Sequence, residues 1–336
     1  MAVQLNGGLA IVIHATTNIS RNVANKKRTN LMTRKIGFIG LGVLGSAMVP
    51  NIIDSGFEVI GYDIRPKIME ELEILGMQIA KSPCDAAMLS DVLITCLPTV
   101  DVLLDVFGGD DGIDKANKIG QVIIETSTFP VEDKEQAKSL MDAVDKKMLD
   151  CPVSGNRILA VKKQLTAFGS GDEATYNDVQ KIIQGFARRT FYVGPFGNGM
   201  KMKFCANILN LVHNSVAAEV MVLGMKSGLD PELIHDVISG SGSSSSMFET
   251  RGAMMANNNY EHEGMNFSVP IKDSRFISDH AHKMQVPTPI YHVALQSYYA
   301  AIAQGHFDED AAAVCAAMER AANIERPKEE KKTNEF

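Results

Sequence analysis

Lys35-Ile36-Gly37-Phe38-Ile39-Gly40-Leu41-Gly42-Val43-Leu44-Gly45 is the stretch on which the fold turns. A short apolar run ends in Gly-x-Gly-x-x-Gly, and an amphipathic segment, residues 47–55, follows at once. Strand, tight turn and helix in that order are the context a dinucleotide-binding loop requires. Gly40 permits the turn, Gly42 lets a pyrophosphate reach backbone N–H groups, and Gly45 lets the helix pack closely on the strand. Residues 57–63 make a second strand pattern that ends in Asp63, an acid about where the fingerprint expects one. Its carboxylate can accept both ribose hydroxyls of NAD and would repel the 2′-phosphate of NADP. Arg65 stands close enough to serve a phosphate, so NAD is expected and NADP is kept as the alternative. The expected cofactor contacts here are Gly40, Leu41, Gly42, Val43, Leu44, Gly45 and Asp63.

Working outward, apolar runs at residues 36–39, 58–62, 92–97, 122–125, 164–168 and 190–193 alternate with amphipathic stretches. This is the alternation of a parallel sheet flanked by helices, and the last two runs are expected to extend that sheet. After Gly199 the character changes: residues 200–227 hold no proline and no glycine but Gly224. Phe204, Ile208, Leu211, Ser215, Ala218 and Val222 recur there at helical spacing. A helix of that length, roughly 40 Å, is a candidate spine between two domains. Segments 231–239, 274–284, 290–304 and 309–322 also read as helices. The expected architecture is an α/β Rossmann domain (34–196) followed by an all-α C-terminal domain (197–325), joined by the long helix. Residues 1–33 read as a disordered extension and 326–336 as a charged, frayed tail. The serine-rich stretch 239–246 lies between helices and reads as a loop bordering a cleft.

The chain has 336 residues, 45% of them hydrophobic, and a formal net charge of −7. No basic stripe with interleaved aromatics is present, which argues against nucleic acid. The five cysteines lack metal-ligand spacing and the histidines fall in separate segments, so no metal site is expected. His280 and His282 are expected at a helix surface. No uninterrupted apolar run reaches membrane-spanning length. Residues 1–33 carry Arg21, Lys26, Lys27 and Arg28 and no acid, a composition shared by transit peptides. Cytoplasmic residence is expected, with mitochondria as the alternative.

The chemistry is expected at Lys203 and Asn207, one helical turn apart in Gly197-Asn-Gly199-Met-Lys-Met-Lys203-Phe-Cys-Ala-Asn207. Positions i and i+4 share a helix face, so ammonium and amide point into one space. The glycines let a ligand or another backbone approach the helix start, whose N-terminus favours an anion or carboxylate.

Five motifs in order make the chain resemble the β-hydroxyacid dehydrogenase family, kin to 6-phosphogluconate dehydrogenase, from Lys35 almost to the C-terminal tail. They are the glycine loop, Leu97-Pro98-Thr99 with Ser127-Thr128-Phe129-Pro130, Asp150-Cys151-Pro152-Val153-Ser154-Gly155, the Lys203/Asn207 helix, and Lys272-Asp273. The resemblance implies Lys203 as catalytic acid/base and Asn207 as holder of the substrate hydroxyl. It also implies Ser154, Gly155 and Asn156 at the substrate carboxylate, Phe248 as an aromatic near the substrate, and Leu97, Pro98, Thr99, Thr128 and Lys272 at the cofactor. The family's usual Ser-Gly-Gly-x-Gly is replaced by Ser154-Gly155-Asn156-Arg157-Ile158. Asn156 is expected to keep the left-handed turn, which β-branched Ile158 would resist. Arg157 either meets an extra polar group or is solvated. The implied reaction is reversible, NAD-dependent oxidation of a small 3-hydroxy acid to its semialdehyde or ketone. A small aldehyde or imine reductase, or a dinucleotide-binding module without chemistry, are the rival readings. A homodimer or homotetramer is implied.

Overall fold

A computed structural model describes residues 34–261 and 266–326. The expectations for residues 1–33 and for the tail beyond Arg326 therefore lie outside the described residues. The strands are β1 (Lys35–Ile39), β2 (Glu58–Tyr62), β3 (Gln78–Ile79), β4 (Val92–Thr95), β5 (Val122–Glu125), β6 (Lys147–Asp150), β7 (Val153–Ser154), β8 (Leu165–Gly169) and β9 (Ala187–Tyr192). Among the first of these run α1 (Gly45–Asp54), α2 (Pro66–Glu73), α3 (Pro83–Leu89), α4 (Val100–Gly108) and α5 (Val131–Asp142). Then come α6 (Arg157–Val161), α7 (Glu173–Phe186) and α8 (Asn198–Lys226). The C-terminal helices are α9 (Pro231–Ile238), α10 (Ser246–Ala256), α11 (Ser268–Lys283), α12 (Pro289–Ala303) and α13 (Val314–Ala321).

Six strands form one sheet in the order β3-β2-β1-β4-β5-β6, every pair parallel. The order reverses between β1 and β4, and a crevice at the carboxyl ends of strands beside such a reversal is where nucleotides bind in this architecture. The central strands are apolar on both faces because helices cover both, and β4 and β5 are buried along their whole length.

The runs at 164–168 and 190–193 do not extend this sheet. As β8 and β9 they build a second, three-stranded sheet with β7, in the order β7-β8-β9. Pro152, just after β6, has no N–H to continue a parallel ladder; its carbonyl instead accepts from Phe168 N at 3.0 Å and steers the chain into the new sheet. Hydrophobicity marks a strand but not its partner.

The C-terminal half is helical, as expected, with α10 added directly after the serine-rich loop, in residues to which the sequence reading assigned no element. Ser245 is the N-cap of that helix, its side chain accepting from Phe248 N. α8 spans 29 residues, and α10, α12 and α13 pack against it. Its length and mean hydropathy of 1.4 are those of a helix able to cross a membrane, which a reading of uninterrupted apolar runs missed. Its neighbours and its buried Asn214 and Ser215 make it the central helix of a helical core. Arg326 is not frayed: its guanidinium bonds Glu319 and the carbonyls of Met255 and Ala256.

Candidate active site

The glycine loop leaves β1 and bends back under α1. Gly40 has φ +92°, and a Cβ there would lie 2.2 Å from Cys96 O. A Cβ at Gly42 would instead have only Arg65 Nη2 near it, at 3.9 Å, so the space above this backbone is open to a ligand group. That cradle fits a dinucleotide phosphate. Asp63, at the end of β2, is buried and accepts from Leu41 N at 2.8 Å through Oδ2. Its Oδ1 accepts from Arg65 N at 3.0 Å and from Arg65 Nε at 2.9 Å. Burial alone would raise the Asp63 carboxyl, but these hydrogen bonds hold it below its ordinary range. The tips of β4 and β5 close the other side: Leu97 N donates to Ser127 Oγ at 2.7 Å. Thr99 caps α4 by accepting from Val102 N.

Lys203 and Asn207 rise from the first turns of α8. The Lys203 side chain is only 8% exposed, and its ammonium has no hydrogen-bond partner among the described residues. Burial lowers its pKa, opposed by the charge of Asp273 and assisted by that of Lys272. Asn207 Nδ2 donates to Asp273 Oδ2 at 2.8 Å. Asp273 Oδ1 is buried without a hydrogen-bond partner among the described residues, although Lys272 Nζ lies 3.5 Å away. Burial raises the Asp273 carboxyl, and both lysines pull the other way. Lys272 also donates to Thr128 O at 3.2 Å and sits 5.5 Å from the Phe129 ring, joining α11 to the tip of β5. Buried polar groups with unmet bonding capacity mark places where a ligand's polar atoms fit.

The start of α8 is held by the protein itself. Met200 N donates to Asp150 Oδ2 at 2.9 Å, and Gly199 N to Ser170 Oγ at 2.9 Å. The close approach that Gly199 allows is by backbone, since a Cβ there would lie 2.5 Å from Phe168 O. The carboxylate expected at this helix N-terminus is thus that of Asp150. Asp150 Oδ1 in turn lies 2.7 Å from Lys134 Nζ, which also lies 2.6 Å from Glu125 Oε2, and all three side chains are fully buried. Glu125 Oε1 accepts from Ser127 N at 2.8 Å. One buried ammonium therefore ties the helix carrying Lys203 to the loop carrying Ser127 and Thr128.

Residues 35–194 match the family described as the NAD binding domain of 6-phosphogluconate dehydrogenase. Residues 197–318 match that described as NAD-binding of NADP-dependent 3-hydroxyisobutyrate dehydrogenase. The mitochondrial 3-hydroxyisobutyrate dehydrogenase of Rattus norvegicus is 33% identical over 305 residues, which cover 88% of each chain. The chain belongs to the 3-hydroxyisobutyrate dehydrogenase family. It is an NAD(P)-binding oxidoreductase of the hydroxy-acid dehydrogenase type. The L-threonate dehydrogenase of Cupriavidus necator is 30% identical, over 84% of this chain and 95% of its own. A solved Mycobacterium tuberculosis 3-hydroxyisobutyrate dehydrogenase with L-serine superposes with a TM-score of 0.76 at 27% identity, covering 85% of this chain and 99% of that one.

In this dehydrogenase the structure brings Lys203, Asn207, Lys272 and Thr128 together. Gly40, Leu41, Gly42, Val43, Leu44, Gly45 and Asp63 form the glycine loop and its flank, with Leu97, Pro98 and Thr99 opposite. Ser154 and Gly155 end the short strand β7 and start the turn into α6. Asn156 does not adopt the left-handed conformation expected of it. At φ −100° it is the N-cap of α6, its side chain accepting from Leu159 N, and Ile158 lies inside that helix without strain. A short helix, Arg157–Val161, follows Gly155 with only Asn156 between. Phe248 is buried in the helical core with its ring stacked on His235, 5.7 Å between centroids. His280 is half-buried against Phe204 rather than at the surface, while His282 is exposed. The sequence reading missed the roles of Ser127, Lys134 and Asp150 and the pairing of Asp273 with Asn207. Lys134 was detectable: it stands on the buried stripe of α5 with Val131, Ala137 and Met141, where a lysine needs buried acids.

Proposed function

We propose that this dehydrogenase oxidises a small 3-hydroxy acid, of the size of 3-hydroxyisobutyrate or L-threonate, to the corresponding semialdehyde or ketone. The observation that carries the reading is the buried Lys203 side chain beside Asn207 and Asp273, its ammonium without a hydrogen-bond partner among the described residues. With its pKa lowered by burial, Lys203 Nζ takes the hydroxyl proton as a neutral amine and returns it as an ammonium in the reverse direction. Asp273 fixes the Asn207 amide, whose second N–H is directed to the substrate oxygen. Ser154 and Gly155, with Asn156 holding α6 in place, receive the substrate carboxylate. Bound NAD supplies the hydride acceptor. Lys272 and Thr128 border its nicotinamide end, and Asp63 receives the adenosine ribose, which favours NAD over NADP.

On this reading residues 34–196 carry the cofactor, while 197–325 supply Lys203 and the contacts of a homodimer or homotetramer. Cytoplasmic residence is proposed, with mitochondria as the alternative because the rat relative is named as mitochondrial. The test is steady-state reduction of NAD and, separately, NADP against a panel of 3-hydroxy acids. Lys203→Ala is expected to lower turnover by roughly 10²-fold or more with NADH binding nearly intact. Near-normal turnover in that variant would remove Lys203 from the chemistry. Silence across the panel with activity on small aldehydes or imines would replace the substrate class.

A further inference from the structure

α6 is the segment in which this chain departs from the glycine-rich pattern, and its first residue reaches back to the cofactor loop. Arg157 Nη1 donates to Val43 O at 2.9 Å and to Ser46 Oγ at 2.9 Å. Asn51 Nδ2 of α1 also donates to Ala160 O of α6 at 2.8 Å, and just beyond the two helices Lys163 Nζ donates to Ser55 Oγ at 2.9 Å. The segment that follows Ser154 and Gly155 is thus fastened to the helix that starts at the glycine loop.

Arg157 also lines an open cavity of about 370 Å³ whose floor is Leu41, Gly42 and Val43. Three cations face that cavity, Arg65, Lys67 and Arg157, against the single acid Glu71. Arg65 is already paired with Asp63. Arg157 is bonded only to two neutral acceptors and has no acidic partner among the described residues. A guanidinium carries five N–H donors, and one nitrogen makes both of these bonds. A neutral side chain could have tied the two segments; the positive charge is left over, next to the backbone whose N–H groups receive phosphate.

We propose that Arg157 is a phosphate-binding residue of the dinucleotide site. It holds the candidate substrate segment on the glycine loop with one nitrogen and offers its remaining donors to the cofactor's diphosphate. The inference rests on the reading of the glycine loop as the dinucleotide site.

The experiment measures binding rather than turnover: calorimetric titration of the full chain with NADH and NADPH, and competition of ADP or adenosine against NADH. Arg157→Gln keeps a donor for Val43 O and removes the charge; Arg157→Lys keeps the charge and loses the fork. The expected result is that Arg157→Gln weakens NADH and ADP by about tenfold, the worth of one charge-assisted contact, with adenosine unchanged and Arg157→Lys in between. Equal NADH and ADP affinities in Arg157→Gln and the natural chain overturn the inference while leaving the dinucleotide reading intact. Equal weakening of ADP and adenosine also overturns it, because the effect would then come from the shape of the loop. Failure of the unmodified chain to bind either NADH or NADPH overturns the dinucleotide reading itself. A thermal melt of both variants confirms that the fold is retained.

Discussion

Lys203 sits under opposed influences, and in the proposed mechanism its protonation depends on their balance. Burial favours the neutral amine, and Asp273 favours the ammonium. Oxidation needs the amine, so its rate is expected to rise with pH through the Lys203 pKa; reduction needs the ammonium and falls over the same range. Asp273→Asn removes the negative charge while its remaining side-chain oxygen can take the place of Oδ2 in accepting from Asn207. The midpoints of both limbs are therefore expected to move to lower pH. Rate profiles in the two directions check this, and an unmoved midpoint would exclude Asp273 from tuning the lysine. The spacing of Lys203 and Asn207 was legible in the sequence because helix geometry fixes the direction of i and i+4 side chains. The pairing of Asn207 with Asp273 was not, since it joins residues 66 positions apart.

The element that presents Lys203 is α8, and its position depends on a charge cluster with no exposure to solvent. Asp150 holds the helix start, Glu125 holds the Ser127 backbone, and Lys134 pairs with both. Burial raises the Glu125 carboxyl, and the Lys134 charge opposes it. Burial alone would lower the Lys134 ammonium, but the two acids outweigh it and raise its pKa. Lys134→Met leaves two carboxylates buried without a cation and is expected to cost about 3–5 kcal/mol of stability. Urea denaturation measures that loss, and a change below about 1 kcal/mol would show that the cluster relaxes by taking up a proton or water. At this scale the sequence was informative about α8 and the central strands, where apolar periodicity is long. It failed at β8 and β9, because an apolar run marks a strand but not the sheet it joins, and the Pro152 carbonyl pairs with Phe168 N, a residue distant along the chain.

Across the whole molecule, the glycine loop and the helix that carries Lys203 come from different halves of the chain, and the proposed active site draws on both. α8 is apolar on more faces than its own domain covers: Leu209, Val216 and Leu223 are exposed, as are Ile290 and Val293 on α12. In the proposed homodimer or homotetramer a second copy of the chain would cover these residues. Sedimentation equilibrium is expected to give at least twice the mass of one chain, and Leu223→Glu to lower it; a monomer at micromolar concentration would refute the assembly. The sequence by itself determined the glycine loop, the acid at the end of β2, the change from alternating strands to helices, and the Lys203–Asn207 pair. Each is set by contacts within a few residues or by one periodic pattern. Only the tertiary structure decided that Asp150 caps α8, that Asp273 holds Asn207, and that Arg157 reaches the glycine loop. These are meetings of groups distant along the chain, and what selects them is the requirement that buried charges and polar atoms find partners wherever packing places them.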